Sequence, residues 1–230
     1  MDADDGARTI DPKLDGAGLC IGIVAARFNE FFVGHLLSSC RRELRRHAVA
    51  DVDVTIIWAP GSFELPVVAR ELIGAGSPDV VICLGCIIRG ETSHYDHVAQ
   101  ESARGIARAA LDTRTPVIYG VVTAENVEQA INRCGSKAGN RGADAALAAI
   151  AMARTVQEIE TRRHSDPGST THRVRSDIPY FKIVQIAKRY GVSRQAVYRW
   201  LATGRLKKPR AHPMDGSEYW LESDLPPMGT

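Results

Sequence analysis

The 230-residue chain contains no run of about 18 apolar residues, the length a membrane-spanning helix requires. Its start, Met1-Asp2-Ala3-Asp4-Asp5, is acidic where a secretion signal is basic and then apolar, so a cytoplasmic protein is expected. Cysteine is sparse and odd in number: Cys20, Cys40, Cys83, Cys86 and Cys134 form no paired framework and read as reduced, buried thiols. Cys83 and Cys86 have C-x-x-C spacing but lie in a strand-like run without a second cysteine pair or a histidine at metal spacing, which argues against a metal or redox centre. Net charge is only +2, yet it is unevenly placed. Residues 1–160 carry 16 Lys and Arg against 21 Asp and Glu, while residues 161–230 carry 13 against 6. A basic tail on an acidic body suggests different partners, with nucleic acid the first candidate for the tail.

What is present fits one large and one small domain. The chain is 44% hydrophobic, enough for one substantial core and a small second module. Residues 1–17 are polar and acidic and read as a disordered arm. Strand-like segments follow at 19–25, 52–58, 80–88 and 116–122, alternating with helical spacing at 30–47, 63–74, 98–112, 125–133 and 138–159. This rhythm predicts an α/β fold with a four-stranded parallel sheet covered by helices on both faces, over residues 18–160. Pro60-Gly61-Ser62 predicts a break before a helix near Phe63, and Thr123 reads as the cap of the next helix. Residues 161–179 lose apolar periodicity and read as a linker; residues 180–226 form the second domain.

In a parallel sheet the loops after the first three strands emerge on one edge, where α/β sheets hold ligands. Phe28-Asn29, Pro60-Gly61-Ser62-Phe63-Glu64 and Gly90-Glu91-Thr92-Ser93-His94 are those loops. The third offers a glycine, a hydroxyl and backbone N–H groups beside an incoming helix, an arrangement suited to an anion. It also carries an imidazole, the side chain whose ordinary titration lies nearest neutrality. Anion binding and proton transfer are therefore expected on one loop. His97 is expected to face elsewhere, and His35 and His47 to be solvated. The cluster Arg41, Arg42, Arg45 and Arg46 reads as a solvated helix face or a subunit contact rather than a phosphate site.

Four strings carry a resemblance. They are Arg27-Phe28-Asn29, Pro60-Gly61-Ser62-Phe63-Glu64-Leu65-Pro66, the segment from Gly85-Cys86-Ile87-Ile88-Arg89 through Gly90-Glu91-Thr92-Ser93-His94-Tyr95-Asp96, and Gly135-Ser136-Lys137-Ala138-Gly139-Asn140-Arg141-Gly142. In this order and spacing, residues 19–159 resemble the 6,7-dimethyl-8-ribityllumazine synthases of riboflavin biosynthesis. The resemblance implies a flavodoxin-like fold, a pentamer or a multiple of it, and active sites between neighbouring subunits. It implies condensation of 5-amino-6-(D-ribitylamino)uracil with 3,4-dihydroxy-2-butanone 4-phosphate, releasing phosphate and water, with no cofactor and no metal. By that similarity Phe28 stacks on the pyrimidine, and backbone groups of Cys86, Ile87 and Ile88 read its polar edge. Ser62, Phe63 and Glu64 contact the ring and ribityl chain, and Glu91 and Thr92 hold the phosphate. Arg133 joins them from the adjacent subunit, with Tyr119 and Arg141, and His94 shuttles protons. The family often has Phe where this chain has Tyr119 and Lys where it has Arg141, swaps that keep an aromatic and a cation. Taken singly these residues have ordinary readings, His94 as a capping histidine and Arg133 as a surface cation; their joint occurrence in order carries the match.

From Ile183 to Leu201 the chain resembles excisionase-type or MerR-type helix-turn-helix modules, with Gly204-Arg205-Leu206 and Tyr219-Trp220-Leu221 following as in winged members. The resemblance implies that Val192, Val197 and Leu201 pack inward and that Arg194, Gln195, Tyr198 and Arg199 lie near DNA. Lys207, Lys208 and Arg210 are expected on a wing against phosphates. The ordinary reading is a small interaction module with a basic face. For the whole chain, the alternative to an enzyme with a DNA-binding appendage is a DNA-binding regulator whose body senses ribityl ligands or merely oligomerises.

Overall fold

The structure, a computed structural model, describes residues 9–135, 139–165, 180–181, 183–192, 194–211 and 218–227. By internal contacts the chain divides into two units, Met1–Pro167 and Gly168–Thr230.

In the first unit, β1 (Ile21–Ala26), β2 (Val54–Ala59), β3 (Val80–Ile88) and β4 (Val117–Ala124) pair in parallel in the order β2-β1-β3-β4. The register sets Ile21 opposite both Val54 and Val80, and Cys83 opposite Tyr119. β1 is buried throughout and β3 through Ile87, because strands with partners on both sides and helices on both faces have no wet surface. The edge strands β2 and β4 are only partly buried. Five helices connect and cover the sheet: α1 (Glu30–Arg46), α2 (Leu65–Gly76), α3 (His94–Thr113), α4 (Val127–Arg133) and α5 (Arg141–Ser165).

Helical spacing places Phe32, Val33, Leu36, Cys40 and Leu44 of α1 on one buried face, and Leu65, Ala69 and Ile73 of α2 on another. α1 packs with α5, and α2 with α3. The two pairs lie on opposite faces of the sheet. A Cβ added at Gly85 would meet Leu65 of α2, whereas one at Gly120, in register with the preceding Leu84, would meet Ala145 of α5. The small residues of α5 serve this close packing: Ala145, Ala146, Ala149 and Ala153 are all buried. At Gly142 a Cβ would fall 2.0 Å from the Leu36 carbonyl oxygen, so α1 and α5 meet backbone to backbone.

Several expected boundaries move for identifiable reasons. Thr123 is not a helix cap; it pairs with Ile87 inside β4, and Asn126 caps α4 by accepting from the Gln129 N–H at 2.9 Å. Gln129 returns the bond by accepting from the Glu125 N–H at 2.9 Å. α2 begins at Leu65 rather than near Phe63, after a turn over 62–64. α3 begins at His94 rather than at 98, with Ser93 in the cap position and Asp96 in its first turn. α5 continues through residues 161–165, which were expected in the linker. Arg162 pairs with Glu158 at 2.7 Å and the Thr161 hydroxyl donates to the Gln157 carbonyl, so polar residues propagate the helix without an apolar stripe. The rest of the expected linker, 166–179, lies outside the described residues. So do residues 1–8 of the expected arm, whose last four residues are tied down. Arg154 of α5 donates to the Asp15 and Ala17 carbonyls at 2.6 and 2.7 Å, Gly16 N–H donates to the His47 carbonyl, and His47 Nδ1 lies 2.8 Å from the Leu14 carbonyl. His47 is thus half-buried between Leu14 and Glu43 rather than solvated.

All five thiols are free and buried. Burial pushes the Cys40 and Cys83 thiols up from the usual 9.0 to about 12. Above pH 9 the unfolded chain releases these protons while the native chain keeps them, so stability falls as pH rises toward 12, by up to about 1.4 kcal/mol per pH unit for each thiol. Urea unfolding of wild type and Cys40→Ala between pH 9 and 12 checks this: the variant is expected to lose stability with a shallower slope, and parallel slopes would contradict it.

The second unit is built around Ile186, Ala187, Val197, Leu206 and Trp220. α6 (Ile183–Tyr190) is followed by Gly191, which takes φ +62°, a left-handed conformation that favours glycine, and α7 runs over Arg194–Ala202. β5 (Tyr180–Phe181), β6 (Arg210–Ala211) and β7 (Glu218–Leu221) form an antiparallel sheet in the order β5-β7-β6. Trp220 donates its indole N–H to the Lys207 carbonyl at 2.7 Å, satisfying the only polar atom of a fully buried ring. Among the described residues no helix is long and apolar enough to cross a membrane.

Candidate active site

Parallel pairing brings the ends of β1, β2 and β3 to one edge, and backbone bonds knit the loops beyond them together. Arg27 and Phe28 donate their N–H groups to the Ala59 and Pro60 carbonyls at 2.8 and 2.9 Å. Asn29 takes φ 60°, a left-handed position that asparagine tolerates, and its side-chain amide donates to the Cys86 carbonyl at 2.9 Å. The first loop is thereby fixed to the end of β3. A Cβ on Gly61 would sit 3.1 Å from Glu64 Oε2 and 4.0 Å from Phe28 Cβ, so the second loop lies directly against the first. The Ser62 hydroxyl occupies the space a side chain would need at Gly85.

The structure therefore gathers Phe28, Ser62, Phe63, Glu64, Cys86, Ile87, Ile88, Glu91, Thr92 and His94 at the carboxyl edge of the sheet. Phe28 is 71% exposed and Phe63 56%, large costs for rings in an isolated subunit, while Ser62 is buried. Glu91, Thr92 and His94 are exposed. The N–H groups of Gly90, Glu91, Thr92 and Ser93 meet no protein acceptor among the described residues, and they stand at the N-terminal end of the 20-residue α3. Unsatisfied donors plus the helix dipole make this loop receptive to an anion.

Three of the expected residues lie elsewhere. Tyr119 sits on β4 opposite Cys83, short of the strand's end at Ala124, with Ser102 of α3 beside its phenol. Burial raises its phenol above the usual value, and the neighbouring Ser102 hydroxyl opposes that shift. Arg133 ends α4 and is exposed, with no ion pair among the described residues. Arg141 opens α5 and lies 3.7 Å from Asp144. Between those two arginines, Asn140 ties the chain together, donating to the Cys134 carbonyl at 2.7 Å and accepting from the Gly142 N–H at 2.8 Å. Residues 136–138 lie outside the described residues. The Cys86 and Cys134 thiols lie together, and their interaction raises Cys86 above the usual thiol value and lowers Cys134. Of the arginine cluster on α1, Arg41 and Arg45 both pair with Asp51, whose carboxylate is held below its usual value chiefly by the Arg45 bond. Arg42 donates to Ser39, and Arg46 pairs with Glu43. These cations are committed within the subunit.

Four residues, Arg89, Tyr95, Asp96 and Glu125, went without a place in the site in the sequence reading. Arg89 donates to Glu125 at 2.6 Å and bidentately to Asp96 at 3.0 and 3.2 Å, and covers the Tyr95 ring at 4.2 Å. Its charge is held more firmly than usual, first by Asp96 and then by Glu125. The Arg89–Asp96 pair is seven residues apart across a loop, a spacing that no helical or strand rule flags.

In the second unit Tyr198 and Arg199 on α7 are exposed; the side chains of Arg194 and Gln195 lie outside the described residues. Val197 is buried, with Val192 and Leu201 packed beside it. The expected wing is partly neutralised. Arg210 and Lys207 both reach the buried Asp224 carboxylate, at 3.1 and 3.6 Å, and the Arg210 bond leads in lowering Asp224 below its usual value. Lys208 remains exposed.

A parallel sheet whose strand order reverses between β1 and β3, with an anion-receptive loop beyond its carboxyl edge, defines a ligand-binding protein of the doubly wound α/β class. The model of the family described as 6,7-dimethyl-8-ribityllumazine synthase matches residues 18–157, more than half of the chain, and the chain belongs to that family. It is accordingly a transferase enzyme of riboflavin biosynthesis.

Proposed function

We propose that the first unit condenses 5-amino-6-(D-ribitylamino)uracil with 3,4-dihydroxy-2-butanone 4-phosphate, and that the open N–H groups of residues 90–93 receive the phosphate. That loop, with exposed Phe28 on one side and His94 at the start of α3, is the observation that carries the reading. Phe28 stacks on the pyrimidine, while the backbone of Cys86, Ile87 and Ile88 reads its polar edge. Ser62, Phe63 and Glu64 line the ring and ribityl chain; Glu91 and Thr92 contribute backbone N–H and hydroxyl to the phosphate. His94 takes the proton as the amine adds to the ketone and returns it as water and phosphate leave. Holding two substrates in register supplies much of the acceleration, since effective molarities are worth about 7–11 kcal/mol.

The site is completed by a second copy of the chain. Arg133, with a planar fork suited to phosphate oxygens, reaches it from the neighbour together with Tyr119 and Arg141. Exposure of Phe28, Phe31, Phe63, Val67, Val127 and Ile131 supports an assembly that covers them, a homopentamer or a multiple of it. The direct test is lumazine formation from the two substrates by the purified chain, with its particle mass measured alongside; folded protein that yields no product would reject the reading.

For the second unit we propose DNA binding through α7. The excess of Lys and Arg in residues 161–230 and the exposure of Tyr198 and Arg199 support it. In a gel shift, the full-length Arg194→Glu/Arg199→Glu variant is expected to bind at least about tenfold more weakly than wild type, and wild-type binding to weaken as salt rises. Equal binding by the two proteins would sink this assignment.

A further inference from the structure

We infer that Arg89 is a positioning residue that braces the phosphate loop from behind, fixing residues 90–93 against the turn between β4 and α4 without touching the anion itself. This rests on the reading that the loop receives phosphate. Arg89 is the last residue held by the sheet edge on this side, its N–H donating to the Ala124 carbonyl at 2.9 Å. Immediately beyond it the loop begins, and its far end is Asp96 in the first turn of α3. The guanidinium closes that loop with two parallel bonds to Asp96, at 3.2 and 3.0 Å. A third bond, from Nε to Glu125 at 2.6 Å, ties the closed loop to a different strand connection. Tyr95, between His94 and Asp96, lies under the guanidinium.

Three of the five guanidinium donors therefore face carboxylates rather than the loop's open N–H groups. Such a fork removes alternative loop conformations before the anion arrives, and prior ordering raises affinity by lowering the cost of binding. Because the carboxylates are 46% and 55% exposed, the brace adds little to global stability. Its effect is local.

The decisive variant is Asp96→Asn. It deletes a negative charge beside the proposed anion site, so simple electrostatics would tighten phosphate binding, as would freeing Arg89 to reach the anion directly. A brace predicts the opposite sign. Calorimetric titration of the full chain with inorganic phosphate is expected to show Kd raised about tenfold or more in Asp96→Asn and in Arg89→Lys, which keeps the cation but loses the fork. The double variant should be no worse than Arg89→Lys alone, because that variant already loses the fork on Asp96. In turnover assays KM for the phosphorylated ketone should rise in parallel while KM for the pyrimidine stays within about twofold, and melting should stay within about 4 °C of wild type. Phosphate Kd unchanged or lowered in Asp96→Asn overturns the brace, as would an equal rise in both KM values. Failure of wild type itself to bind phosphate overturns the loop assignment and the brace with it.

Discussion

Replacing His94 by alanine is expected to lower kcat by about 10²–10⁴-fold while leaving both KM values near those of wild type, the span that removal of a positioned proton-transfer group produces. The expectation follows from placement. His94 is the first residue of α3, exposed, with its own N–H directed to the Thr92 hydroxyl at 3.4 Å. Its ring thus leaves the backbone at the point where the open N–H groups end, so a group held by the loop would have its reacting atoms within reach of the imidazole. Phosphate binding should survive in the variant, because no loop donor is removed. Steady-state rates with the two substrates, set beside inorganic phosphate affinity, separate the outcomes: turnover within about twofold of wild type would remove His94 from the chemistry.

Gly142→Ala is expected to destabilise the first unit by at least about 3 kcal/mol, the upper range for forcing atoms into a filled interior. The added methyl would lie 2.0 Å from the Leu36 carbonyl oxygen and 2.6 Å from its carbon, and these are backbone atoms of a helix rather than the tip of a flexible side chain. α1 and α5, which contribute buried Cys40, Ala146 and Ile150 to the same core, would have to separate. Gly34 supplies the control. It lies within α1, where an added Cβ meets nothing within 4 Å, so Gly34→Ala should gain roughly 0.5–1 kcal/mol from helix propensity. Urea midpoints of the two variants should therefore move in opposite directions; a Gly142→Ala protein as stable as wild type would refute the close approach.

The parts of the fold that could be read in the sequence are those set by local pattern. β3 runs over 80–88 as the apolar run indicates, since a strand buried on both faces tolerates no polar residue to blur its ends. The sheet-edge loops followed from alternation of strand and helix, and with them the company of Phe28, Ser62, Glu64 and His94. Long-range partners were not legible. Asn29 meets the carbonyl of a residue 57 positions away, and Arg89 meets Glu125 36 positions away; neither spacing leaves a periodic mark. The same blindness explains why the contacts of His47, Lys207 and Arg210 could not be foreseen, each made with a residue distant in sequence. Thr123 was mistaken for a cap because strand and helix-start both accept threonine, and only pairing with Ile87 decides between them. Tyr119, Arg133 and Arg141 were legible only as members of a family pattern, since their proposed work is done in another copy of the chain.

The hold that Arg154 keeps on the Asp15 and Ala17 carbonyls spans 139 and 137 residues, and Gln157 reaches Asp79, which in turn receives the Cys20 N–H. The entrance to the first strand is thus secured by the last helix of its unit. On a ribosome, where residues 14–17 emerge long before residue 154 is made, this segment must wait for most of the translation of this unit with only its contacts to His47 in place. Its final fastening is a late event, timed by the appearance of α5 rather than by its own early birth.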